Sequence, residues 1–145
     1  MNPPGQRAFA AYRQTEANTL SQRDLIVKLY QGAERFLLQG KLGMQNANPE
    51  LACVGCQKAR KIFIELASTL NFEQGGEIAE RLRDLYLFLI GEITKASLDR
   101  DPARLEAIMP VIATLREGWE QIPDEHANLT SLPGGHDGCG FQITT

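Results

Sequence analysis

Cys53-Val54-Gly55-Cys56 is the stretch of this chain most suited to chemistry, because two thiols at this spacing form half of a zinc site or a redox pair. His136 and Cys139 repeat the spacing near the C-terminus and would complete a four-ligand set. Two features weigh against a metal. Cys56 falls on an apolar helical stripe, where a free cysteine behaves as a small hydrophobe. The second pair sits among Pro133, Gly134, Gly135, Gly138 and Gly140, a stretch that cannot easily offset its ordering entropy. A thioredoxin-like role needs a strand feeding a helix, and no strand pattern precedes Cys53.

Other chemistries lack their residues. His126 and His136 both fall outside the helical stripes, so no imidazole base lies within them. A di-iron bundle is built from Glu-x-x-His pairs on facing helices, and the chain has none. Gly75-Gly76 lacks the lysine and the preceding strand of a phosphate cradle. Lys58, Arg60 and Lys61 form the densest basic cluster and read as a solvated helix face. A net charge of −3 supplies no excess to neutralise nucleic-acid phosphates. No apolar run approaches the ~18–20 residues of a membrane-spanning helix. The N-terminus lacks the ~7–15-residue apolar core of a secretory signal, and three cysteines without such a signal fit free thiols in a reducing compartment. The expectation is a cytoplasmic protein that is not an enzyme. It needs no metal and no cofactor, binds no nucleic acid and does not insert in membranes.

The elements that would position any site are helical. Leu25, Leu29, Ala33, Phe36 and Gly40 recur at helical spacing behind Ser21, a capping residue with Asp24 in the first turn. Asn48-Pro49 and Asp101-Pro102 each read as an N-cap followed by Pro at the first helical position. Behind them run the stripes Ala52, Cys56, Ala59, Phe63, Leu66, Leu70 and Leu105, Ile108, Ile112, Leu115, Trp119, Ile122. A further stripe, Ile78, Leu82, Leu85, Leu89, Ile93, Ala96, starts after Gly75-Gly76, which reads as the link of a helical hairpin. The fold expected is an all-α, antiparallel four-helix bundle over residues 21–122, with helices at about 21–43, 49–70, 77–98 and 102–122. Residues 1–20 form an N-terminal arm, either frayed or docked through Phe9 and Tyr12, and 123–145 a mobile C-terminal tail.

Each stripe leaves apolar residues over. On a helical wheel Leu87 points nearly opposite Leu85 and Leu89, with Tyr86, Phe88 and Ile90 on the flanks. Ile62 and Ile64 lie off the second stripe, Met109 and Val111 flank the fourth, and Val27 and Leu38 sit behind the first. Several such residues on neighbouring helices merge into a docking surface, for a helix laid in a groove or for self-association.

Three stretches then carry a resemblance: LIVKLYQGAERFL from Leu25, ELASTLNFEQGGEIAERLRDLY from Glu65, and LREGW from Leu115. In this order they resemble the flagellar secretion chaperones of the FliS family, and Ala11-Tyr12 ahead of Ser21 is similar to that family's arm. The resemblance implies a chaperone that binds the disordered C-terminal segment of flagellin, prevents premature polymerisation and helps deliver the subunit to the flagellar type III export gate. Carried over, Tyr12 corresponds to the family's N-terminal tyrosine, and Tyr30 and Tyr86 match its Leu-Tyr positions. Phe9, Ile62, Ile64, Leu87 and Met109 join them as expected partner-binding residues. The alternative is a bundle that self-associates as a structural protein through the same grooves. Pro110, the CVGC stretch, the Gly-rich tail and Gln22, where the family favours Pro, depart from the pattern. An interior Pro costs ~3 kcal/mol and usually kinks a helix, which bears on the groove near Met109.

Overall fold

Each of the described helices starts on a polar side chain that takes up an otherwise unpaired backbone N–H. A computed structural model describes residues 21–123; the expected arm and tail, with Phe9, Tyr12, His126, His136 and Cys139, lie outside them. Among the described residues the secondary structure is four helices: α1 Gln22–Gln45, α2 Pro49–Ser68, α3 Phe72–Asp99 and α4 Pro102–Gln121. Ser21 Oγ accepts from the Asp24 amide at 3.0 Å and Asn48 Oδ1 from Leu51 at 3.1 Å. Asn71 Oδ1 accepts from Gln74 at 3.0 Å and Asp101 Oδ1 from Ala103 at 3.1 Å. A cap of this kind stabilises a helix by about 1 kcal/mol.

The links between helices are too short for anything but reversal, so consecutive helices run antiparallel. Each packs chiefly against two neighbours, in the ring α1–α2–α3–α4 and back to α1. The result is a four-helix bundle whose core draws on every helix: Leu29 and Leu37, Phe63 and Leu66, Leu89 and Ile93, Leu105 and Ile112 are all fully buried. Burying a side chain of this size contributes about 1.5–3 kcal/mol.

The closest helix pair is α1–α2, and glycine makes it so. A Cβ on Gly43 would lie 2.4 Å from the Ala52 amide nitrogen, and one on Gly55 2.6 Å from both the Gly40 nitrogen and the Phe36 carbonyl oxygen. Neither gap admits a carbon atom, so the two backbones touch where side chains elsewhere hold helices apart. The pair α3–α4 is packed least closely of the four.

Two features differ from what the sequence predicts. The hairpin link is Thr69–Asn71, with Asn71 as the cap, and not the glycine pair. The chain forms a helical turn from Phe72, breaks at Gly76 (φ 50°, ψ −125°) and then continues as the long part of α3. An L side chain rarely adopts that conformation, so Gly76 is required at the break, inside the element and not between elements. Pro110, in turn, does not interrupt α4, which runs through it from Pro102 to Gln121. Pro110 is exposed, so the carbonyl it deprives of a donor lies on the solvated side, where water can serve it.

Replacing Gly43 or Gly55 by Ala is expected to destabilise the bundle by about 1–3 kcal/mol in denaturant titrations, because backbone must move. Gly91→Ala and Gly118→Ala meet open space and are expected to stabilise it by about 0.5–1 kcal/mol through helix propensity alone.

Candidate functional site

Four aromatic side chains, one from each helix, meet at the centre of the bundle: Tyr30, Phe63, Tyr86 and Trp119. The rings of Tyr30, Phe63 and Tyr86 form a triangle with centroids 6.2, 6.4 and 6.0 Å apart, at tilted and edge-on angles that suit aromatic quadrupoles. The Tyr30 and Tyr86 hydroxyls are hydrogen-bonded at 2.5 Å, and Trp119 Nε1 donates to the Tyr30 hydroxyl at 3.2 Å. Burial pushes the Tyr30 hydroxyl well above its ordinary pKa, with the Tyr86 neighbour adding to the rise. Burial pushes Tyr86 up to about 12, against the lowering effect of its hydrogen bonds. Both are neutral at any physiological pH and act as a structural polar pair.

This placement changes the role of three expected contact residues. Tyr30 and Tyr86 are 0% exposed and Ile62 3%, so none of them faces a surface where a partner could lie. The stripes on α1, α2 and α3 are broader than the sequence periodicity suggests and take in their flanks. Tyr30, Tyr86 and Ile62 support the surface from beneath.

Ile64 and Leu87 do face outward, at 47% and 56% exposure, and the fold brings them to one seam. Arg60 donates through Nη1 to Thr94 Oγ1 at 3.3 Å, tying the outer edges of α2 and α3. Ile64 lies one turn beyond Arg60. Ile90 and Leu87 lie one and two turns before Thr94, and because the helices are antiparallel these residues follow one groove. Met109 is elsewhere. It is half-buried on the α1–α4 seam, between the ion pairs Lys41–Glu106 (3.4 Å) and Arg116–Glu34 (2.6 Å). In the ring of helices that seam is opposite α2–α3, so Met109 does not join Ile64 and Leu87 in one patch.

A third surface was not legible in the pattern. Ile78, Leu82, Leu115 and Ile122 belong to core stripes by spacing, yet Ile78 is 58% exposed. With Thr114, Gly118 and Trp119 they line an open, mostly apolar cleft of about 210 Å³ between the start of α3 and the end of α4. The cleft exists because these helix ends are not drawn together, which periodicity cannot report. Arg23, at the start of α1, donates to the Ile122 carbonyl at 3.1 Å and so roots α1 beside it.

The thiols give no clear centre. Cys53 is exposed, Cys56 is buried with its thiol pushed up by burial, and no three His, Cys, Asp or Glu side chains gather among the described residues.

The family described as flagellar protein FliS matches residues 5–126 of this chain. The chain is 36% identical over 121 residues to the flagellar secretion chaperone FliS of Vibrio cholerae, covering 83% of this chain and 89% of that one. It is 34% identical over 123 residues to the chaperone of the same name from Campylobacter jejuni, covering 85% and 94%. The Bacillus subtilis chaperone is 25% identical over 116 residues, covering 80% and 86%.

Tyr30→Phe is expected to cost about 1–3 kcal/mol, because it leaves both the Tyr86 hydroxyl and the Trp119 indole N–H buried without their partner. The double variant Tyr30→Phe/Tyr86→Phe should cost less than the sum of the single ones. Alkaline titration gives a second check. The folded state keeps the Tyr86 proton up to about 12, whereas an unfolded tyrosine loses it near ~10. Stability should therefore be whole below that lower value and fall as pH rises through the window, with a shallower fall in Tyr86→Phe.

Proposed function

Because the chain belongs to the FliS family of flagellar secretion chaperones, we propose that it holds the disordered C-terminal segment of flagellin in the cytoplasm. The bound subunit is kept from premature polymerisation and passed to the type III export gate. The observation that carries this reading is the distribution of exposed apolar side chains. Ile64 and Leu87 are exposed on α2 and α3, and Ile78 is exposed at the apolar cleft beside α4, while Met109 on the opposite side is half-buried. A compact partner would cover one such surface; an extended segment that becomes partly helical can reach several. Wrapping of this kind covers a large area while the ordering entropy of the segment lowers its affinity, which suits a cargo that must be released.

The chaperone needs no reaction chemistry for this task, and none of the described helices is long and apolar enough to cross a membrane. Its rigidity comes from the aromatic centre, which keeps the seams in place while their surface residues remain free to pack against cargo. The arm before Ser21 has a part in this scheme. Tyr12 is nine residues from Ser21, a reach of up to about 30 Å, and α1 starts beside the cleft through the Arg23–Ile122 contact. Phe9 and Tyr12 therefore compete with cargo for an apolar groove.

A one-to-one complex with the C-terminal peptide of the cognate flagellin is expected in calorimetry; a folded protein that binds none of it sinks the proposal. Leu87→Asp and Ile64→Asp, at exposed positions, should each weaken the complex at least about tenfold with little change in melting temperature, as expected for charges set in an apolar contact. Deleting residues 1–12 should change the affinity; unchanged binding would remove the arm from the scheme.

A further inference from the structure

Three interhelical cations on this bundle are matched by carboxylates: Lys41 by Glu106, Arg104 by Glu92 and Arg116 by Glu34. Arg60, on the α2–α3 seam, is not. Its one hydrogen bond among the described residues goes to the neutral hydroxyl of Thr94, and neither Arg60 nor Lys61 meets a carboxylate there. Arg83, at the far end of the same groove, has Asp84 at 3.2 Å. The unmatched positive charge therefore lies at the Arg60 end, next to Ile64.

A guanidinium carries several N–H donors in a planar fork, and Thr94 takes only one of them. The remainder suit a carboxylate, the acceptor that binds two of them at once. Arg60 is half-buried, so its charge is less screened than that of a fully solvated side chain. An apolar strip with one unmatched, immobilised cation at its end is complementary to an amphipathic segment with an acidic residue at the edge of its apolar side.

We propose that the α2–α3 groove takes an acidic amphipathic segment of the exported polypeptide, with an Asp or Glu carboxylate on Arg60 and apolar side chains over Ile64 and Leu87. The inference rests on the chaperone reading above and adds the charge of the cargo and its register on the groove. Lys61, exposed beside it, adds to the attraction at longer range, whereas Arg60 sets the position.

The test uses the full chain and the C-terminal peptide of the cognate flagellin. Arg60→Gln should weaken binding about tenfold or more and flatten its salt dependence between low and high ionic strength, with the circular dichroism unchanged. Replacing the peptide's acidic residues one at a time by their amides should reproduce the loss at a single position. Arg60→Glu should regain affinity for a peptide carrying Lys at that position. Cys53 supplies a map of the site: it is exposed and lies on the same face, seven residues before Arg60. In the Cys139→Ser background, peptide should slow its alkylation. If the wild-type protein binds the peptide while Arg60→Gln binds equally well at every salt concentration, the proposal is overturned and the chaperone reading stands. If the folded wild-type protein binds no peptide, both fall.

Discussion

Two tyrosine hydroxyls held 2.5 Å apart, with an indole N–H on one of them, are the constraint on which this bundle closes. A polar group with no water around it must find its partner inside the protein, and each of these partners comes from a different helix. Sliding α3 along α1, or rotating α4, would leave hydroxyls or the indole unpaired. Leucine-only packing carries no such penalty for small shifts. The aromatic centre therefore selects one arrangement of the helices, while the surrounding aliphatic side chains supply most of the burial. The same centre explains why the three sequence stretches that resemble the FliS family are so far apart in the chain: Tyr30, Tyr86 and Trp119 bring one stretch each to a single point.

How the seams differ follows from what lies between the helices. Backbone meets backbone at Gly43 and Gly55, so α1 and α2 approach each other closely there, and the concavity beside Gly43 and Ala52 is confined to the α1–α2 link, with Ala47, Asn48, Pro49 and Arg100 in its lining. The pairs α2–α3 and α3–α4 are packed less closely, and Ile64, Leu87 and Ile78 on those helices remain exposed. The apolar surfaces of this protein thus arise from its own packing pattern. The surplus hydrophobes stay outside because the bundle has already filled its interior.

Much of this could be read from the chain. Ser21, Asn48-Pro49 and Asp101-Pro102 mark helix starts because capping is a local interaction, complete within four residues. The stripes on the helices predicted the core because period is also local. Ile64 and Leu87 were identified as outward-facing for the same reason. Misplaced residues depended on relations between helices. Tyr30, Tyr86 and Ile62 sit on flanks that become interior only when a neighbouring helix covers them. Ile78 lies on a core stripe but at a point where the neighbour turns away. The Asn71 cap was hidden by the more conspicuous glycine pair that follows it, and the tolerance of Pro110 depends on its facing solvent.

The uneven spacing of the helices divides the molecule mechanically. The α1–α2 half is locked by backbone contact, and the α3–α4 half, with its open cleft and the break at Gly76, is the compliant side. Local opening takes the least-packed elements first, so amide hydrogens at the start of α3 and the end of α4 exchange with solvent well before those of α1 and α2. Such a protein can breathe on one side without losing its fold. A groove wall can thus yield to an incoming chain while the opposite half holds its register.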